Sequence, residues 1–188
     1  MSLTVVKLAV GIAALYAARR YYRNWGTTKE ECRSSLPGDS LVRSPCTQST
    51  EGVEIDAPPA AVWAVLTDEL RLGEDPAVGD VVHLWAMAGL DLPTLTVEQV
   101  VAGETIVLQG QPPEFPWSAA WSFHVVPHWE ERCRLLLRMR AAFCRPGDVF
   151  LTELAGPVTA LSARAMLRRV KESAESTADR RTAQARAL

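Results

Sequence analysis

Few side chains in this 188-residue sequence are of types that do chemistry. The three histidines are His83, His124 and His128, and the four cysteines are Cys32, Cys46, Cys133 and Cys144. No cysteine sits in a CxxC or other short metal spacing, and no third ligand accompanies His124 and His128, so no metal site is expected. Those two histidines share a strand phase only if a strand runs through Pro127, where proline removes a ladder donor. His124 with Asp80 or Glu98 has the makings of an acid/base pair, because imidazole titrates near neutrality and a carboxylate can orient it. A histidine on the wet face of a sheet accounts for the same position without chemistry and is the favoured reading. G-x-S-x-G, P-loop and G-x-G-x-x-G patterns are absent. No catalytic residue and no cofactor are therefore expected. Cys133 falls on the apolar phase of a strand and reads as a buried thiol rather than a nucleophile.

These residues must be positioned by a sheet. Val53 to Ile55 reads as a strand, followed by Asp56 as a helix cap, Pro58 and Pro59 in the first turn, and the stripe Val62, Val65, Leu66. After an acidic loop from Asp68 to Pro76, strand signals dominate: Val81 to Trp85, then the hairpin Leu95 to Val101 and Thr105 to Gln109 about Ala102-Gly103-Glu104. Two longer strands follow. Ala119 to Val126 puts Trp121, Phe123 and Val125 on one face, and Arg132 to Phe143 alternates Cys133, Leu135, Leu137, Met139, Ala141 and Phe143 against Arg134, Leu136, Arg138 and Arg140. One face is covered and the other wet, as in an antiparallel sheet. The arginine row reads as a solvated face paired with acids such as Glu98. From about Glu153 the period becomes helical, with Val158, Leu161, Ala165 and Met166 toward the sheet and Arg164, Arg168 and Lys171 outward; alternatively, the positive side of this helix faces anionic headgroups. The final residues, 177–188, lack an apolar face and are expected to fray.

The N-terminus asks for a membrane explanation. Leu3 to Ala18 is apolar except for Thr4 and Lys7 and is followed by Arg19-Arg20-Tyr21-Tyr22-Arg23. As a helix, Ser2 to Tyr22 would cover about 31 Å, close to the ~30 Å hydrocarbon core of a bilayer. Tyr16, Tyr21, Tyr22 and Trp25 cluster where such a helix would leave the membrane, and Lys7 can snorkel at the other end. The positive-inside bias of Arg19, Arg20 and Arg23 puts the domain in the cytoplasm. An amphipathic or buried helix and a signal peptide are the other readings, although a signal peptide needs its charge before the apolar run and small residues before the cut. Cys32 and Cys46 could bridge if the topology is inverted.

Residues 24–50, rich in Ser and Thr and holding Pro37-Gly38 and Pro45, read as a connecting arm rather than a packed element. Organisation is therefore expected as an anchor at 1–23, a linker arm at 24–50, a domain at 51–176 and a polar tail at 177–188. The formal net charge of -2 argues against a nucleic-acid partner held by phosphate neutralisation. That total conceals an uneven distribution: seven bases against three acids in 1–50, one base against thirteen acids in 51–130, and twelve bases against six acids in 131–188.

Several stretches together resemble the START-like, polyketide-cyclase/dehydrase-like helix-grip superfamily, in particular members with an N-terminal membrane anchor. WGTTKEE and LPGDSLV (Trp25 to Glu31, Leu36 to Val42) resemble that subgroup's arm. VEIDAPPAAVWAVL (Val53 to Leu66) is similar to the opening strand and helix, VGDVVHL (Val78 to Leu84) to the next strand, AAWSFHVVP with RCRLLLRMRA (Ala119 to Pro127, Arg132 to Ala141) to the last long hairpin, and MLRRVKESAE (Met166 to Glu175) to the long helix. The resemblance implies an α+β helix-grip fold: a curved antiparallel sheet wrapped around a long C-terminal helix, here preceded by one transmembrane or membrane-associated helix. It also implies an apolar cavity between sheet and helix. Between Leu66 and Val78 the chain has only TDELRLGEDPA where the family carries a longer aromatic and glycine-rich segment, so the cavity is expected to be smaller, more open or partly collapsed.

On that resemblance the ligand surface comprises Trp85, Trp121, Phe123, Leu135, Leu137, Met139 and Phe143, with Leu161 and Ala165 from the helix, the alternative being that these side chains form a solid core. The expected partners are the membrane, through residues 3–22, and a lipid or other hydrophobic small molecule; nucleic acid is not expected, and the sequence does not identify protein partners. The leading expectation is a single-pass cell-membrane protein whose cytoplasmic domain binds or presents a hydrophobic ligand. A cyclase- or dehydratase-like enzyme and an interaction module with a closed core are the alternatives.

Overall fold

In the computed structural model the described residues are 5–7, 10–11, 24–83, 94–113, 115, 117–129, 131–142 and 148–186. Most of the proposed anchor, Trp85 and Phe143 lie outside them. Residues 5–7 and 10–11 are helical, and no helix among the described residues is long and apolar enough to cross a membrane.

Six strands form one antiparallel sheet: β1 (Thr47–Ile55), β2 (Val81–His83), β3 (Thr94–Val101), β4 (Thr105–Gly110), β5 (Ser118–Trp129) and β6 (Arg132–Ala142), in the order β1-β6-β5-β4-β3-β2. Among residues 24–186, the described helices are α1 (Lys29–Arg33), α2 (Pro59–Glu69) and α3 (Asp148–Arg186), with a 3-10 turn at Asp39–Val42. A curved sheet gripping a long C-terminal helix is the helix-grip arrangement expected from the sequence. Register shifts between Val97 and Gln99 in β3 and between Pro127 and Trp129 in β5 mark bulges, where an extra residue bends a strand. The second bulge lets β5 pass through Pro127, beyond the expected end at Val126.

Register explains the two faces. Ile55, Val53 and Glu51 lie opposite Cys133, Leu135 and Leu137, and Phe123 and Trp121 opposite Leu137 and Met139. This face packs on α2, through Val62 and Leu66, and on α3, through Ala163, Met166, Leu167, Val170 and Ala174.

Four local expectations are corrected. β1 starts at Thr47 rather than Val53, because its polar residues pair with β6 along their whole length. Asp56 does not cap α2: Pro58 occupies that position without a side-chain cap, and the Asp56 carboxylate instead accepts from Arg132 Nε. α3 does not stop near residue 176 but continues to Arg186. Its buried stripe is also rotated from the expected phase: Leu161 is 55% exposed and Val158 48%, Ala165 is exposed, and Arg164 is 8% exposed. Arg164 is drawn inward by an acid on β1, which shifts the stripe to residues 163, 166, 167, 170 and 174.

The opposite sheet face is not wet. Residues 24–46 pack across it as a third layer, covering Val107, Leu136, Ser122 and Arg138, all buried. Gly38, at φ 90°, brings this arm so close that an added Cβ would stand 2.7 Å from Val107 Cγ1, so both its dihedral and its contact require glycine. The arm also caps the β1 edge. Gly52 N donates to the Trp25 carbonyl at 3.0 Å, Thr50 N to Asn24 Oδ1 at 3.0 Å, and Thr27 Oγ1 to the Thr50 carbonyl at 3.1 Å.

Candidate functional site between the sheet and the C-terminal helix

The concave face is closed at one end and looser at the other. At the β1–α2 end, Ile55 and Cys133 are 0% exposed and Val125 is 3% exposed, packed against the large side chains Met166, Leu167 and Val170. Toward the other end Trp121, Ala141 and Trp117 are partly exposed on the edge of the core, and Met139 is 9% exposed. The path of α3 sets this gradient. Lys171 Nζ donates to the Glu54 carbonyl at 2.7 Å, Asp56 N donates to Glu175 Oε1 at 2.9 Å, and Arg164 meets Glu51. The stretch of α3 before Met166 carries the small residues Ala160, 7% exposed, and Ala163, 0% exposed, on its buried side. Phe115 and Trp117 stack edge to face, with centroids 5.7 Å apart, and Phe115 lies against Gly110, where a Cβ would meet its ring at 2.6 Å.

The expected ligand residues divide accordingly. Phe123, Leu135 and Leu137 are 0–1% exposed and lie within the hydrophobic core cluster. Trp121 and Met139 lie at the loose end, while Leu161 and Ala165 are on the outward side of α3. Trp85 and Phe143 lie outside the described residues. Sequence reasoning missed Phe115 and Trp117, which sit in a proline-broken segment without periodicity. It also missed Glu51, although Glu51 shares the strand phase of Val53 and Ile55.

Glu51 is the unusual group of this face. Its side chain is fully buried opposite Leu137, and Arg164 Nε stands 3.5 Å from Oε2. Neither carboxylate oxygen has a well-formed hydrogen bond, Arg164 Nε standing at the outer limit of one from Oε2. Burial pushes the acid up to about 7, against the pull of the Arg164 charge. Outside this pair, the Trp25 ring covers both Arg164 and Arg168, whose guanidinium carbons are 5.4 and 5.2 Å from its centroid.

The histidine and arginine expectations are corrected. His124 faces the arm, not the concave site, and pairs through Nδ1 with Thr105 Oγ1 at 3.2 Å rather than with Asp80 or Glu98. Burial, reinforced by the Arg138 charge, pushes its pKa down to about 4. His128 is exposed. No cluster among the described residues could hold a metal ion. Arg138 is 1% exposed rather than solvated. Its Nε donates to Thr50 Oγ1 at 3.1 Å and its Nη1 to the Ser34 carbonyl at 2.6 Å and Asp39 Oδ2 at 2.9 Å, while Nη2 donates to the Glu31 carbonyl. Arg134 pairs with Glu31, and Arg140 with Asp39 at 2.8 Å. Burial works to raise Asp39, but hydrogen bonds from Arg140 and Leu36 N, with the Arg138 charge, hold it below the usual carboxylate range. Cys133 is a buried thiol, as expected, and burial pushes it up to about 11, which leaves it protonated and inert.

No family model and no curated protein matches the chain. Among solved structures it is similar to norcoclaurine synthase from Thalictrum flavum in complex with dopamine and hydroxybenzaldehyde, at 19% identity over 74% of this chain and 95% of that one, with a TM-score of 0.48. It is also similar to the di-domain ARO/CYC BexL from the BE-7585A biosynthetic pathway, at 16% identity over 69% of this chain and 46% of that one, with a TM-score of 0.48. A third is the Aha1 dimer from Colwellia psychrerythraea, at 16% identity over 69% of this chain and 96% of that one, with a TM-score of 0.47. The helix-grip assignment rests on the chain's own strand order, register and terminal helix rather than on these likenesses.

Proposed function

We propose that this protein binds a hydrophobic small molecule at the loose end of its concave sheet face, and that its N-terminal apolar segment tethers the domain to the cytoplasmic side of a membrane. The observation that carries the binding reading is the set of partly exposed apolar residues Trp117, Trp121 and Ala141 packed against the core of a sheet face that also holds the buried polar pair Glu51–Arg164. Ligand sites are largely apolar surfaces with a few placed polar groups. A tether would hold such a site near lipid-phase molecules and raise its encounter rate with them.

Binding is favoured over cyclase- or dehydratase-like catalysis because, among the described residues, the buried carboxyl of this face, Glu51, has no histidine beside it: His124 lies across the sheet. The closed-core interaction module agrees with the β1–α2 end but not with the looser end.

The test is native mass spectrometry and solvent extraction of the full-length chain purified from its own host. A co-purifying hydrophobic molecule, displaced when Ala160→Phe fills the loose end, is the expected result. A chain that carries no such molecule and binds nothing from a lipid panel would overturn the binding reading in favour of the interaction module.

A further inference from the structure

The outward side of α3 carries apolar side chains that the fold leaves uncovered. Val158 and Leu161 are exposed, and so is Ala165. Single exposed apolar residues are ordinary on a protein surface. These three, however, recur at i, i+3 and i+7, which places them on one stripe of a 3.6-residue helix, opposite the buried Ala163, Leu167 and Val170. The cations around the stripe are engaged within the fold: Arg164 meets Glu51, Arg169 pairs with Glu69, and Lys171 pairs with Glu175 at 2.8 Å. The stripe therefore offers apolar area rather than free positive charge.

Trp25 fixes where the N-terminal segment meets the domain, and it does so at this stripe. Its ring lies over the guanidinium carbons of Arg164 and Arg168, at 5.4 and 5.2 Å. Residues three and four apart are neighbours on a helix surface, so Arg164 adjoins Leu161 and Arg168 adjoins Ala165. The backbone is held there as well: the Trp25 carbonyl accepts from Gly52 N, and Asn24 Oδ1 accepts from Thr50 N, both at 3.0 Å. Gly26 secures that approach, since an added Cβ would collide with the Gly52 carbonyl oxygen. Consecutive Cα atoms stand about 3.8 Å apart, so a segment ending at residue 23 leaves the domain at the β1 edge, beside the exposed side of α3.

We propose that the stripe Val158, Leu161 and Ala165 is the surface on which the domain rests against a lipid bilayer, its apolar side chains entering the interfacial layer beside the tether. The inference rests on the tether reading above and goes beyond it by naming the face that docks. A helix lying in the interface buries one apolar face and keeps its polar side in water or protein, which is how this stretch of α3 is divided. Holding the domain at its tether makes a small apolar area sufficient, because the contact is then intramolecular with respect to the membrane. Docking also orients the concave face. Contacts between α3 and β1 advance together along both elements, from Arg164 with Glu51 to Lys171 with Glu54 and Glu175 with Asp56. The helix before Arg164 thus runs toward the end of β1 that pairs with Met139 and Ala141, and the docked stripe brings that end to the bilayer surface.

The experiment uses the full-length chain reconstituted into phosphatidylcholine vesicles, with the photo-crosslinking residue p-benzoylphenylalanine placed singly at Leu161, Ala165 or Val101. Val101 is also an exposed apolar residue, but it lies on β3, four strands from β1, and serves as the control. Flotation reports the tether, and mass spectrometry of irradiated protein reports what each position touches. The chain is expected to float, with phospholipid adducts at 161 and 165 and none at 101. In the variant Val158→Gln/Leu161→Gln the adduct yield at 165 is expected to fall about tenfold, the scale of withdrawing one leucine side chain from an apolar layer, while flotation is unchanged. A floating chain without lipid adducts at 161 and 165, or with equal adducts at 101, overturns the docking face and leaves the tether intact. Adducts to residues 1–23 or to a second copy in place of lipid give the stripe another occupant and overturn it too. A chain that does not float removes the tether, and this inference with it.

Discussion

Glu51 and His124 are buried on opposite faces of the sheet, and burial moves their titrations in opposite directions. Glu51, facing Arg164, has a folded value of about 7 against an ordinary 4.5. The native state therefore holds its proton more tightly, and the associated stabilisation is complete below pH 4.5 and is lost as pH rises through about 7. His124, facing Thr105, Arg138 and Asp39, has a folded value of about 4 against an ordinary 6.5, so its contribution is present above pH 6.5 and lost as pH falls through about 4. Between these limits the two slopes oppose each other. Urea denaturation across that range is expected to show stability rising with pH in Glu51→Gln, falling with pH in His124→Gln, and changing less in the wild type. Parallel curves for the three proteins would refute this account. The sequence made His124 visible as a candidate because histidine is rare here, but it could not say which face would be covered. Glu51 was hidden by the opposite cause, since acids are common in residues 51–130 and its strand phase matters only once the partner of that strand is known.

The arm shows most plainly how an element can change meaning on folding. Residues 24–46 are polar and proline-containing, and nothing periodic marks them as a layer. They become one because Arg138, on the face opposite Leu137, supplies four directed contacts to Thr50, Ser34, Asp39 and Glu31. A planar guanidinium satisfies separate carbonyls and a carboxylate at once, which an ammonium on a flexible stem does not. Arg138→Met, which removes the donors to the Ser34 and Glu31 carbonyls and leaves Asp39 to Arg140 and Leu36 N, is expected to cost about 3 kcal/mol and to expose residues 33–46 to limited proteolysis. Arg138→Lys is expected to restore only part of that stability. Unchanged protease resistance with an unchanged denaturation midpoint would show that the arm is held by Val42, Gly38 and the β1 edge instead. The strands themselves were far more legible. β3 and β4 match the expected hairpin to within a residue at each end, because alternation and the Gly103 turn are local signals. The phase of α3 was not, because one buried arginine in the stripe cannot be recognised without the acid that buries it.

At the scale of the whole molecule the chain is a three-layer domain in which the arm, the sheet and the α2–α3 layer follow a segment with the composition of a membrane tether. The arm fixes Asn24 and Trp25 against β1, so a tether ending at residue 23 would hold the domain at short range and in a defined attitude rather than on a loose linker. A soluble reporter carrying residues 1–25 at its N-terminus is expected to fractionate with membranes and to resist salt extraction; a fully soluble fusion would remove the tether from the proposal. The sequence by itself determined the elements and the separation of an apolar N-terminal segment from a folded domain, because periodicity, turn residues and composition are properties of neighbours along the chain, whereas the helix-grip layout was implied by the family resemblance. Only the tertiary structure decided that the arm is a layer, that the arginine row is covered by it, that Phe123, Leu135 and Leu137 are fully buried, and that Glu51 meets Arg164 over more than a hundred residues of chain. Those outcomes depend on which faces come together, and burial and charge compensation act between residues that only the folded chain makes adjacent.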